Sequence, residues 1–230
     1  MAGTVINAAA IVVGALMGLA FGGRLPLRTV DSIMHGVGLS VLLVGLEMGL
    51  RTENAVIVLL SVALGGVIGE SLQLETYFNR LSQRLEERFT GGKGGGGFTR
   101  GFVGSSLLYC VGPMAITGAF QNGLLGEYSI LLTKSFLDGI SAVALAAGLG
   151  YGVVFSAVPV FLYQGALTLT AQWIAPLLSK SVVTEMTATG GVLILGIALS
   201  MLEIKKIRVT NFLPALAVVI PLVHLWQALR

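Results

Sequence analysis

Hydrophobic residues along this chain form long runs separated by short polar or charged segments. A membrane-spanning helix needs about 20 mostly apolar residues, because it rises 1.5 Å per residue across a hydrocarbon core about 30 Å thick. The ten-residue alternation typical of membrane β-barrel strands does not occur. The pattern predicts an all-α integral membrane protein with about eight transmembrane helices, at residues 3–22, 34–50, 54–72, 99–120, 130–150, 152–174, 188–204 and 210–229. The second, third and seventh runs are short, and an alternative count merges or drops one.

The composition supports a membrane location. Of the 230 residues, 55% are hydrophobic and 11% are charged, and the mean hydropathy is +0.90. Soluble domains carry about 25% charged residues, so this chain lacks the ionic surface that water requires. The 32 glycines suit helices that pack closely in lipid. These features exclude a disordered chain, a disulfide scaffold and a nucleic-acid-binding protein.

The distribution of basic residues predicts the orientation. With the amino terminus outside, the inner side holds ten Lys and Arg residues and the outer side three, the bias expected of a membrane protein. The inner residues are Arg24, Arg28, Arg80, Arg84, Arg88, Lys93, Arg100, Lys205, Lys206 and Arg208. The outer residues are Arg51, Lys180 and Arg230. The leader Met1–Thr4 has no basic residue, so we expect the first helix to be retained rather than cleaved as a signal peptide. Both termini are predicted to lie outside.

We expect a single transmembrane domain over residues 1–230, with a cytoplasmic segment at 73–98. Within this segment, residues 74–89 place apolar side chains on one helical face and arginines on a stripe beside it. This amphipathic helix either lies at the inner headgroup layer or forms a gate or dimer contact. The glycine-rich run 91–97 that follows is predicted to be a flexible linker.

The two ends of the chain partly superpose when shifted by about 151 residues, as in transporters with internal repeats. The shift places Gly14-Ala15-Leu16 on Gly165-Ala166-Leu167 and Gly45 on Gly196. Residues 1–72 and 152–230 would then form an inverted repeat around the central helices 99–150, because an odd number of crossings separates them. A chance resemblance between Gly-, Ala- and Leu-rich helices is the alternative.

Two features break the apolar pattern inside predicted spans. Gly112-Pro113 interrupts the fourth span near its middle, which predicts a broken helix, either a passive kink or a gate with freed carbonyls. Lys134 and Asp138 lie one helical turn apart in the fifth span. Charged groups in a membrane are costly and by default mark a functional site. They can also be a structural pair that neutralises itself.

Further polar residues fall in the outer half of the predicted bundle. They are Asn7, Glu47, Gln121, Asn122 and Gln164. Together they predict a polar vestibule that opens outward and closes near the helix break. Alternatively, Asn7 and Gln164 each form a hydrogen bond between helices. Glu47 lies one turn from the end of its span, and its alternative is simple contact with water.

Four ordered motifs carry a resemblance to a known family. They are residues 110–116, 118–124, 134–140 and 163–168, preceded by Gly3-Thr4-Val5-Ile6-Asn7. With these motifs, the chain closely resembles the uncharacterised bacterial inner-membrane family that includes YqgA and YdfK. The resemblance covers essentially the whole chain. It implies a helical inner-membrane protein of about this length and supplies no substrate.

The sequence favours a transporter or channel for a small polar solute or ion, using the pathway residues named above. An enzyme is not expected, because HExxH and GxSxG are absent and the chain has two histidines and one cysteine. A non-transporting scaffold or sensor is the alternative. No cofactor or metal is predicted. The expected partners are lipid and a second copy of the chain, with the stripe Gly14-x₃-Gly18-x₃-Gly22 as a candidate contact between two helices.

Overall fold

The computed structural model describes residues 1–22, 27–80, 84, 97–174, 176 and 178–229. The regular structure in this part of the chain is helical, with no strand. The helices are α1 (Ala2–Gly22), α2 (Leu27–Gly49), α3 (Ala55–Ser71), α4 (Leu74–Arg80), α5 (Gly97–Cys110), α6 (Pro113–Leu125), α7 (Ser129–Leu149), α8 (Gly152–Phe155), α9 (Ala157–Leu169), α10 (Ala171–Ile174), α11 (Lys180–Met201), a 3₁₀-helix (Val209–Phe212) and α12 (Ala215–Ala228).

Several of these helices are long and apolar enough to cross a membrane. Five such stretches lie in the described residues: α1, α7, Gly152–Leu169, α11 and Val209–Ala228. Two bent pairs, α3 with α4 and α5 with α6, raise the number to seven if each pair is one span. The apolar stretch His35–Gly49 of α2 is shorter. The predicted all-helical class is therefore confirmed for the described residues, with five to seven candidate spans by length and composition, and the count of eight spans stays a prediction.

Part of the predicted cytoplasmic segment lies outside the described residues. The amphipathic pattern is described over α4 and at Arg84, whereas residues 81–83, 85–90 and the linker up to residue 96 are not described. α4 follows α3 after a bend of 58°.

The chain divides into two compact units. The first contains α1, α5 to α10 and the start of α2 as far as Val37. The second contains α2 from Gly38 onwards, α3, α4, α11, the 3₁₀-helix and α12. Each unit therefore combines helices from the beginning of the chain with helices from its end.

In the first unit, α1 and α7 run parallel in close contact. A Cβ atom added at Gly14 would overlap the carbonyl oxygen of Gly139, and one at Gly18 would overlap that of Val143. The two backbones can approach this closely because glycine has no side chain. The predicted small-residue stripe of α1 therefore packs against α7 of the same chain. This contact gives no support to the predicted homodimer.

The chain then reverses along α1. After α7, Gly150 adopts a positive φ of 75° that favours glycine. α8 follows at the carboxyl end of α1, where it contacts both α1 and α7. α9 runs back antiparallel to α1 and packs against it, so that Asn7 meets Gln164.

In the second unit, glycines also set the closest contacts. α2 runs antiparallel to α11: a Cβ at Gly38 would lie 2.8 Å from the Leu202 side chain, and one at Gly191 would overlap the backbone of Gly49. α3 lies antiparallel to the segment formed by the 3₁₀-helix and α12. Its residue Gly69 lies against the carbonyl of Asn211.

A buried carboxylate joins α11 to the start of α3. Glu185 is 2% exposed and accepts hydrogen bonds from the Thr52 hydroxyl at 2.6 Å and the backbone N–H groups of Glu53 at 2.8 Å and Asn54 at 2.9 Å. A carboxylate at this position satisfies donors next to a helix N-terminus and complements its dipole. The sequence pattern did not reveal this role, because the predicted seventh span begins at residue 188, after Glu185.

We expect Glu185→Leu to lower the free energy of unfolding by about 2–3 kcal/mol, because three donors lose an ionised acceptor. Thermal unfolding in detergent measures the effect. Glu53→Gln is the matched control, because the Glu53 side chain is exposed and should change stability by less than about 0.5 kcal/mol. Equal stability of both variants would show that Glu185 does not anchor α3.

Candidate functional site

Among the described residues of the first unit, the most buried charges are those of Lys134 and Asp138 on α7. Their spacing of four residues puts them on one face of the helix, and the ammonium forms an ion pair with Asp138 Oδ2. The two residues are 5% and 7% exposed. Each charge is therefore neutralised by the other in a buried position, where loss of either partner would be costly.

Tyr109 and Ser141 extend this pair. The Lys134 Nζ lies 5.8 Å from the centre of the Tyr109 ring, within range of a cation–π interaction. The Ser141 hydroxyl lies 3.4 Å from the Tyr109 hydroxyl and 3.0 Å from the Asp138 carbonyl oxygen. The sequence pattern did not single out these two residues. The only signals were the position of Ser141 three residues after Asp138 and that of Tyr109 just before the helix break.

The predicted helix break at Gly112-Pro113 follows Tyr109, the residue that contacts Lys134. α5 ends at Cys110 and α6 begins at Pro113, with a bend of 57° between them. Proline is favoured at the first position of a helix, because its missing N–H has no helical partner there. Gly112 is extended, and a Cβ atom added to it would meet nothing within 4 Å. The break therefore borders open space one turn from the Lys134–Tyr109 contact.

An amide pair joins α1 to α9. The Asn7 Nδ2 donates to the Gln164 Oε1 at 3.2 Å, and both residues are fully buried. The Asn7 amide also lies beside the Asp138 carboxylate. Residues 157 positions apart are thus brought to one place, next to the ion pair.

Four buried polar atoms of α1 and α9 have no hydrogen-bond partner among the described residues. They are Thr4 Oγ1, Asn7 Oδ1, Gln164 Nε2 and Thr168 Oγ1. Their residues are at most 6% exposed. A buried polar atom without a partner costs about 1–3 kcal/mol, and native proteins rarely leave several of them together. We name this group, with Lys134 and Asp138, the polar cluster.

The remaining predicted pathway residues have partners outside the polar cluster. Asn122 Oδ1 accepts a hydrogen bond from the Met1 ammonium at 2.8 Å. The Gln121 Nε2 donates to the Glu127 Oε2 at 3.0 Å. Glu47 belongs to the second unit, where it is exposed and pairs with Arg51. No three His, Cys, Asp or Glu residues are grouped to hold a metal ion in the part of the chain that is described.

Comparison with known proteins shows which family the chain comes from. The family described as "Protein of unknown function (DUF554)" matches residues 2–224. The chain is 31% identical to the uncharacterized membrane protein YdfK of Bacillus subtilis, over 95% of this chain and 93% of YdfK. It is 33% identical to the uncharacterized protein YqgA of Escherichia coli, over 98% of this chain and 97% of YqgA. No solved structure matches it. The resemblance seen in the motifs is confirmed, and the chain belongs to the DUF554 family of membrane proteins of unknown function.

Proposed function

We propose that this protein is a transporter or channel that carries a small polar solute or ion across the bacterial inner membrane. The observation that carries the proposal is the polar cluster. It places the charge pair of α7 beside the buried Asn7–Gln164 contact of α1 and α9. Four polar atoms of α1 and α9 are buried without a partner within about one helical turn of that contact. Charged and polar groups are expensive in a membrane protein and are kept mainly where a solute or ion contacts them.

The helix break beside the cluster supports the same function. In many transporters the substrate site is formed by interrupted helices, whose free backbone groups point at the solute. Here the α5–α6 break borders the Lys134–Tyr109 contact and the open space at Gly112. The break supplies backbone groups, the cluster supplies side chains, and no enzymatic chemistry is needed.

Helix packing supports the proposed inverted repeat. The shift of about 151 residues pairs α1 with α9, α2 with α11 and α3 with α12, as in inverted-repeat transporters. Each of these pairs packs antiparallel. Gly45 meets Leu195, next to Gly196, the residue that the shift assigns to it. Gly65 likewise meets Ala215, next to its own equivalent. Within each pair, a local two-fold axis between the two helices would produce both features.

The helix directions fit three spans of the proposed eight-span, multi-pass topology, whereas the proposed outside location of both termini rests on the distribution of basic residues. α1 and α7 run parallel, as the first and fifth of eight spans must. α9 runs opposite to both, as the sixth span must. These directions follow from the glycine contacts of α1 with α7 and from the position of α8 at the carboxyl end of α1.

Solute flux into proteoliposomes tests the function. We expect wild-type protein to increase the permeation of at least one of Na⁺, K⁺, chloride, glycine and glycerol, followed by osmotic swelling. Asp138→Asn and Lys134→Met should change that flux by about tenfold or more, since each removes a charge that is buried in the pathway. Glu47→Gln is the control, because Glu47 is exposed in the second unit and its loss should leave flux within about twofold. Flux that is equal in wild type and both cluster variants would remove the pair from the mechanism.

A non-transporting scaffold is the second candidate. It is favoured by one observation, the mutual neutralisation of Lys134 and Asp138, which a purely structural pair would also show. Purification from native membranes distinguishes the two functions. A stoichiometric protein partner, together with no flux of any solute, would support the scaffold.

A further inference from the structure

We propose that the α1–α9 interface of the polar cluster binds a monovalent cation such as Na⁺. Its ligands are three buried oxygens, Thr4 Oγ1, Asn7 Oδ1 and Thr168 Oγ1, and the Asp138 carboxylate supplies the balancing charge. The cation would be the solute, or one of the solutes, of the proposed transporter, so the biological role of the site rests on the proposed transport function. Binding itself can be measured without transport.

Thr4 and Thr168 each lie about one helical turn from the Asn7–Gln164 contact. Asn7 and Gln164 touch, Thr4 precedes Asn7 by three residues, and Thr168 follows Gln164 by four. Residues three or four apart lie on the same face of a helix. Because α1 and α9 are antiparallel, both threonines lie on the same side of the Asn7–Gln164 contact, toward Met1.

Contacts of α6 fix that side independently. The Met1 ammonium binds Asn122 on α6. The next residue, Gly123, packs directly against the Thr168 carbonyl. The beginning of α1 and the end of α9 therefore meet at the same part of α6, which places Thr168 toward the Met1 end of α1, where Thr4 also lies.

The chemistry of the unpaired atoms favours a hard cation. Three of the four are oxygens, one of them an amide carbonyl oxygen that can only accept, and oxygen atoms are the ligands of hard cations. A divalent ion is disfavoured, because the cluster offers one carboxylate and that carboxylate is already paired with Lys134. An anion is disfavoured, because the Asn7 Oδ1 can only accept a hydrogen bond and would repel it. The remaining atom, Gln164 Nε2, is a donor at the edge of the site.

Charge balance makes Lys134 a competitor of the cation. While Lys134 pairs with Asp138, the cluster is neutral, and a bound cation would leave one uncompensated buried charge. Cation binding is therefore strongest when Lys134 releases Asp138. Removal of the ammonium by Lys134→Met should raise the cation affinity, whereas Asp138→Asn should abolish it.

Thermal unfolding of the purified full chain in detergent tests the proposal, with NaCl titrated against choline chloride at constant ionic strength. A ligand that binds only the folded state raises the unfolding midpoint, and above its Kd the stabilisation grows with the logarithm of the ligand concentration. In wild type we expect Na⁺ to raise the unfolding midpoint with the logarithm of its concentration above Kd, and choline to give no such rise. Thr168→Val should weaken Na⁺ binding about tenfold, the loss of one oxygen facing a charged guest. Thr168→Ser keeps the hydroxyl and should bind like wild type. Lys134→Met should bind at least about tenfold more tightly.

Thr187→Val is the matched control, because Thr187 is buried in the second unit and its hydroxyl is satisfied by the Val183 carbonyl at 2.7 Å. This variant should keep the wild-type response to Na⁺. The proposal is overturned if Na⁺ and choline act alike on wild type, which would leave water as the partner of these atoms. It is equally overturned if Thr168→Val and Thr168→Ser, both folded and monodisperse, respond to Na⁺ as wild type does.

The binding test and the flux test fail separately. Saturable Na⁺ binding without flux of any solute would keep the cation site and reject the transport function. Flux of a solute that is independent of Na⁺, with no Na⁺-dependent stabilisation, would keep the transport function and reject the cation site.

Discussion

Asp138→Ala is expected to lower the free energy of unfolding by about 3–5 kcal/mol, the largest loss we expect from a single side chain of this protein. The Lys134 ammonium would then remain buried, at 5% exposure, without its carboxylate. The remaining contact with the Tyr109 ring is worth only about 0.5–2 kcal/mol and does not replace the lost pairing. Thermal or denaturant unfolding in detergent measures the change.

The double variant Lys134→Met/Asp138→Leu distinguishes the effect of an unpaired charge from the effect of lost side-chain packing. A buried ion pair replaced by apolar side chains of similar volume is often neutral or stabilising, so the double variant should recover most of the loss. A double variant as unstable as Asp138→Ala would mean that packing, not the unpaired charge, causes the loss. The same double variant removes both charged side chains of the polar cluster, so we expect its solute flux to be altered as in the single variants.

Gly14→Leu is expected to prevent α1 and α7 from packing, with a loss of at least about 3 kcal/mol and poor recovery of folded protein. The first side-chain atom would already overlap the Gly139 carbonyl oxygen, which belongs to the backbone and cannot rotate away. The fraction of monodisperse protein after extraction from membranes, followed by thermal unfolding, measures the effect.

Gly36→Ala is the control for glycine replacement in a helix. A Cβ atom at Gly36 meets nothing within 4 Å. This variant should be neutral or more stable by up to about 1 kcal/mol, because alanine favours the helix. Normal stability of Gly14→Leu would contradict the close α1–α7 contact.

The helices could be predicted from the sequence because lipid imposes a simple rule. Backbone groups in hydrocarbon must be paired within the segment, so a run of about 20 apolar residues becomes a helix. α1, α7 and α11 therefore follow the hydrophobic pattern, and the break at Gly112-Pro113 follows from the missing N–H of proline. The span count was less certain, because α2 is short in apolar residues and two helix pairs bend by more than 40°.

The candidate site could be predicted only in part. Lys134 and Asp138 were recognisable because they are neighbours on one helix, and a four-residue spacing places them together wherever that helix lies. Asn7 and Gln164 were recognisable as polar residues in apolar runs, but nothing local to either residue indicated that they touch. Thr4 and Thr168 drew no attention, because threonine is common in membrane helices and usually bonds to its own backbone.

Local chemistry thus decided the membrane environment, the helical class, the position of the helix break and the i, i+4 ion pair, because each depends on residues close together in the chain. Tertiary structure alone decided that the glycine stripe of α1 faces α7, that Glu185 holds the start of α3, and that Glu47 stays exposed. It also decided that Thr4 and Thr168, whose hydroxyls have no partner, lie on one side of the Asn7–Gln164 contact. Such long-range pairings depend on which helix faces come together, and hydrophobic periodicity does not specify a partner.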